Sequence, residues 1–133
     1  MKKQTFYTNL LQTLGQYPFD DAQEAIESLK KQISEKQNLR DRKNFEAHLT
    51  SKTFIFNPDF SKVLLLKHKT LGKWLQAGGH TDPEDMSILE GARREGVEET
   101  GIQDLVYIPF DKANPNLPID IDIHPIPNNN SKN

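Results

Sequence analysis

The chain, 133 residues long, has no cysteine, which excludes disulfides, thiolate metal sites and cysteine nucleophiles. Long hydrophobic runs are missing too. The longest aliphatic run, Val63 to Leu66, is far too short to cross a bilayer. The two lysines of "MKKQTFYTNLLQTLGQ" are followed by no apolar signal-peptide core. A cytoplasmic protein with no membrane partner is the expectation. Nor is there an excess of one charge sign, since 17 basic and 19 acidic side chains leave a formal net charge of −2. Bulk attraction to nucleic acid is therefore not expected, and an anionic partner would have to be held locally or through a cation. The length suits one globular domain, or one domain with a helical extension.

What is present begins with helix patterns. Phe6, Leu10, Leu11 and Leu14 recur at helical spacing until Gly15 and Pro18 end the pattern. Asp20 or Asp21 can cap a second helix whose stripe is Ala22, Ala25, Ile26, Leu29 and Ile33, a packing or dimer surface. The charged run from Lys36 to Glu46, with its "RDRK", reads as a solvated helix end and connector. From Thr50 the period becomes extended: "TSKTFIF" and "KVLLLKH" flank the turn-rich "NPDFS" as a hairpin. "DLVYIPF" and "IDIDIH" are two further strand candidates, and "HPIPNNNSKN" reads as a fraying tail. In the last strand Asp120, Asp122 and His124 share a polar face, with Ile119, Ile121 and Ile123 opposite. The layout predicts an α+β fold with a helical extension over residues 1–47 and a second unit over 48–133.

Between the strand candidates lies "GGHTDPEDMSILEGARREGVEETGI". Ser87 and Glu90 form a capping box at a helix start, and Gly101 is a natural left-handed stop. A turn of about 100° per residue puts Glu95, Glu98 and Glu99 in one sector, with Leu89, Ala92 and Gly96 on the adjoining, sheet-facing side. Gly96 in mid-helix costs about 1 kcal/mol relative to alanine, so a close backbone approach is expected there. Three one-sided glutamates either point into water or surround a hard divalent cation, and their oxygen ligands suit Mg²⁺ or Mn²⁺. The glycine loop "QAGGHTDPED" directly upstream can bring its backbone close to a diphosphate. His80 there either donates to a phosphate or is satisfied by the backbone; Trp74 either stacks on a base or joins the core.

These residues carry a family resemblance. Gly79, five residues, Asp85, eight residues, then "REGVEETGI" resembles the Nudix box, in which an acid is followed by Arg-Glu-U-x-Glu-Glu-x-Gly-U, U being bulky and apolar. Arg94, Glu95, Glu98, Glu99, Gly101 and Ile102 match position for position. Asp85 stands where glutamate is usual, with one extra residue in the spacing; Gly96 replaces the bulky residue and Ala77 a common proline. "LGKWLQAGGH" is similar to the "LGxWLQPGGH" of a bacterial subgroup with an N-terminal helical extension, and the likeness runs from about His48 to Pro127.

The resemblance implies a Nudix-like α/β/α sandwich with a mixed sheet. It also implies a domain cut short, since further strands and a C-terminal helix usually follow. It implies Mg²⁺-dependent hydrolysis of a pyrophosphate bond in a nucleoside diphosphate linked to another moiety. In that reading Glu95, Glu98 and Glu99 hold Mg²⁺ or Mn²⁺, aided by the carbonyl of Gly78. Arg94 positions the glutamates, one of which, or a downstream acid, is the general base. Gly79 and His80 meet the substrate. A strand edge left unpaired by an early stop invites homodimerisation. The alternative is a non-catalytic metal- or nucleotide-binding or assembly module.

Overall fold

The computed structural model describes residues 2–125; the tail from 126 onward lies outside them. Helix α1 (Lys2–Gln16) buries Phe6, Leu10 and Leu14 at 0, 3 and 3% exposure, one side chain per turn, while Leu11 turns outward. It stops short of Pro18, which has no N–H to continue it. A 3-10 turn (Asp20–Ala22) leads into α2 (Gln23–Ser34). The expected aspartate cap is not formed: both aspartates lie in the 3-10 turn, and the residue before α2 is Ala22, without a side-chain cap.

Phe6, Leu10, Leu14, Tyr17, Ala22 and Ile26 make one apolar cluster with Leu117, and Leu29, Ile33, Leu49, Ile88 and Ile121 pack against it. The helices thus share their core with residues from the middle and end of the chain. The connector after α2 is not simply solvated either. Leu39 and Arg40 are buried, at 1 and 8% exposure.

Strand β1 (Thr50–Thr53) pairs antiparallel with β4 (Ala77–His80), Thr50 opposite His80 and Thr53 opposite Ala77. A second antiparallel pair joins β2 (Leu66–Lys67) to β3 (Trp74–Leu75). Helix α3 (Ile88–Thr100) lies against β1 and β4. The fold is α+β, as the sequence predicts. No parallel pair, and so no mixed sheet, forms among the described residues.

Several expected strands are not formed. Of the hairpin around "NPDFS", only the bridge Phe56–Val63 and bonds such as Leu64 N–H to the Ile55 carbonyl (2.8 Å) remain. "DLVYIPF" and "IDIDIH" run without regular structure. The reason is non-local: a strand needs a paired neighbour and a covered face, and here Phe54, Phe56, Val106, Ile108, Ile119 and Ile123 all stay exposed. The alternation of Asp120, Asp122 and His124 against the isoleucines therefore builds no two-faced strand. Conversely, "AGGH", read as a loop, is strand β4.

Candidate active site

Helix α3 begins and ends where its sequence says it should. The Ser87 hydroxyl accepts the Glu90 N–H at 3.1 Å, and Gly101, at φ 75°, donates its N–H to the Val97 carbonyl at 2.8 Å. Gly96 is a buried point of close packing between the helix and β1. A Cβ there would stand 3.2 Å from Leu105 Cδ1 and 3.3 Å from Thr53 Cγ2, so glycine lets the helix settle onto β1. This register points Glu95 toward β4, where a Cβ on Gly79 would come within 2.6 Å of its carboxylate. Glu95 and Gly79 are therefore in direct contact across the helix–sheet interface.

Arg94 organises the acids. Its Nε and Nη2 donate to the two carboxylate oxygens of Asp85, both at 3.0 Å, a bidentate pair. Nη1 donates to Glu95 Oε1 at 3.1 Å and Glu98 Oε2 at 3.2 Å, and Nη2 also reaches the His80 carbonyl at 3.1 Å. Asp85, 2% exposed, accepts the Asp82 N–H at 2.8 Å and donates its own N–H to the Asp82 carbonyl. Hydrogen bonds to Asp85 and Glu95 hold the guanidinium proton affinity above even the usual arginine range. Losing one member of such a pair leaves a buried charge uncompensated and costs about 3 kcal/mol.

The structure thus brings Arg94, Glu95, Glu98, Gly79 and His80 together. Glu98 and Glu99 are exposed, and Glu95 is half-buried. Glu95 and Glu98 each give Arg94 one carboxylate oxygen and keep the other outside that pairing. Gly78 stands opposite Lys52, three positions along from a hydrogen-bonded register marked by the Thr81 N–H to Leu49 carbonyl bond. In an antiparallel ladder that puts Gly78 in a non-bonded pair, so its carbonyl points away from β1. The donor set fits a hard cation: carboxylate oxygens and a backbone carbonyl. Among the described residues, however, no three acidic or histidine side chains are gathered into a cage for a metal ion.

His80 is exposed, and its ring lies 4.9 Å from that of His48. Partial burial lowers its pKa, His48 and Arg42 add to this, and Glu95 acts in the opposite direction. The Nδ1 of His48 is tied to the Asn44 carbonyl at 3.1 Å. Trp74 is not core: it is 63% exposed, with Lys67 Nζ 5.9 Å from the ring centre.

Sequence reasoning noted Asp85 but did not place it in the site, although its distance from Arg94 is part of the motif. It missed Arg40 and His48. Nothing local marks an arginine inside a charged run as buried, and a lone histidine before a strand carries no pattern.

With this geometry in view, the family comparison is decisive. The model of the NUDIX domain matches residues 47–122, more than half of the chain. The chain belongs to the Nudix family. Members of the family are pyrophosphohydrolases of nucleoside diphosphate derivatives and generally use divalent metal cations. The match takes in β1 through α3 and the clamp between Asp85 and Arg94. Neither the curated proteins nor the solved structures give a match to this Nudix chain.

Proposed function

We propose that this Nudix chain hydrolyses a pyrophosphate bond in a nucleoside diphosphate linked to another moiety, with Mg²⁺ or Mn²⁺ as cofactor. The observation that carries the reading is the clamp itself. Arg94 holds both Glu95 and Glu98, and Glu95 meets the glycine strand at Gly79, where backbone and carboxylate approach the same space. Glu95, Glu98 and Glu99, with the carbonyl of Gly78, would hold the cation. When bound, it supplies neutralisation of the diphosphate charge and activation of the attacking water.

The chain's own residues do the rest. Arg94 keeps two carboxylates in one orientation and prevents them from repelling each other apart. Gly79, with no side chain, leaves room for a phosphate beside Glu95, and His80 stands at the end of the same strand as a donor to it. One of the glutamates takes the proton from water as general base. In this reading the protein works in the cytoplasm on a small substrate. Two copies associate through exposed apolar side chains such as Phe54, Phe56 and Phe60.

The test is hydrolysis. Full chain with Mg²⁺ is mixed with a panel of nucleoside diphosphate derivatives, and nucleoside monophosphate release is followed against a Glu98→Gln control. Metal-dependent turnover well above the control is expected. Turnover no higher than the control for every substrate sinks the enzyme reading. If Mg²⁺ then still raises the melting temperature, the chain is a binding module instead.

A further inference from the structure

Arg40 lies outside the glutamate motif, yet it is the buried cation of the helical half. Its guanidinium carbon sits 4.4 Å from the ring centre of Phe6 and 5.8 Å from that of Tyr7. Its Nη1 donates to the carbonyls of Pro83 and Asp85, both at 3.0 Å, and more weakly to that of Asp82 at 3.5 Å. All three acceptors belong to the turn from which Asp85 reaches Arg94. No carboxylate pairs with Arg40 among the described residues, so its charge is spent on backbone oxygens. A second tie runs alongside: Asn9 of α1 donates to the Met86 carbonyl at 2.9 Å. Leu39 N–H, next in the chain, donates to the Tyr7 hydroxyl at 3.2 Å.

We propose that Arg40 is a positioning residue for the carboxylate site, acting through the 82–85 turn. Phe6 and Tyr7 hold the guanidinium from one side, and it fixes the turn from the other. The turn fixes Asp85, Asp85 orients Arg94 through two hydrogen bonds, and Arg94 sets Glu95 and Glu98. The helical segment is then part of the active-site framework and not an appendage. Lysine cannot replace this arginine fully. Its ammonium is a compact point charge, whereas the planar guanidinium lies over the Phe6 ring while its Nη1 reaches the turn carbonyls. The proposal rests on the hydrolase reading only for what the site does; the coupling from Arg40 to Asp85 is testable without it.

The experiment compares full-length wild type, Arg40→Met, Arg40→Lys and Leu29→Ala. Leu29→Ala loosens the same helical core without touching the turn. Two readouts are taken: amide hydrogen exchange at Asp82 and Asp85, whose N–H groups are bonded within the turn, and the Mg²⁺ concentration giving half-maximal hydrolysis. Arg40→Met is expected to speed exchange at both amides and to raise the Mg²⁺ requirement about tenfold, the scale of a lost outer partner of metal ligands. Arg40→Lys should fall between it and wild type, and it decides the matter if Arg40→Met does not fold. Leu29→Ala should lower the melting temperature while leaving the turn amides and the Mg²⁺ requirement as in wild type. The proposal is overturned if the folded Arg40 variants keep wild-type exchange at Asp82 and Asp85, or if Leu29→Ala changes both readouts equally. If wild type shows no metal-dependent hydrolysis, the hydrolase reading fails, and the exchange data still decide the coupling.

Discussion

The two halves of this chain are held together by different physics. Around α1 and α2, Phe6, Leu10, Leu14, Ile26 and Leu117 are almost fully buried, an apolar core of ordinary kind. Around β1, β4 and α3, the buried hydrophobic residue is only Ala77, while large apolar side chains from Phe54 to Trp74 stay exposed. What fixes that half is the polar clamp of Asp85, Arg94, Glu95 and Glu98. No buried side-chain nitrogen or oxygen among the described residues lacks a partner, so every buried polar atom of the clamp is satisfied. The difference separates stability from site geometry. Burial in the helical half keeps the chain folded, and charge in the other half decides where the carboxylates stand. Arg40 and Asn9 join the two.

The comparison can be broken from either side. Phe6→Ala removes a fully buried ring and the support under Arg40, and should cost about 4 kcal/mol in urea denaturation. Arg94→Met leaves the buried Asp85 unpaired and lets Glu95 and Glu98 repel; a loss of about 3 kcal/mol is expected, with hydrolysis abolished. If Arg94→Met were as stable as wild type, the clamp would not hold its half of the fold.

Gly79→Ala sharpens the distinction between the two roles. Its Cβ would press on the flexible end of Glu95, so stability should change by under about 1 kcal/mol. The displaced carboxylate should nonetheless raise the Mg²⁺ requirement in a metal titration of activity. Equal stability with unchanged metal dependence would remove Glu95 from the site.

The smallest effect concerns pH. Because the folded state holds the His80 pKa below its ordinary 6.5, the unfolded chain binds this proton more readily. Stability from this group is therefore full above about 6.5 and falls as pH drops toward the folded value. His80→Asn should flatten that part of a melting-temperature profile; a profile identical to wild type would contradict the assignment.

How much of this was legible in the sequence follows the same division. Helix α1, the caps of α3 and the one-sided placement of its glutamates depend on near neighbours, and spacing alone exposes them. The close approach at Gly96 was readable because a mid-helix glycine needs a reason. Strand β1 was readable in the first half of "TSKTFIF", but "DLVYIPF" and "IDIDIH" form no strand, because alternation becomes a sheet only when a partner pairs and another layer covers it. Arg40 was invisible for a related cause: its acceptors lie more than forty residues downstream. Asp85 shows the intermediate case, where a motif marks the position but not the bidentate bond that gives it a role.

The central claim is that the clamped glutamates form a divalent-cation site. Titrating Mn²⁺ into the full chain under electron paramagnetic resonance tests it without any substrate. Wild type should bind the ion, Glu98→Gln should bind it markedly more weakly, and Glu90→Gln, of equal charge but at the other end of α3, should match wild type. Equal binding by all three, or none by wild type, would contradict the account.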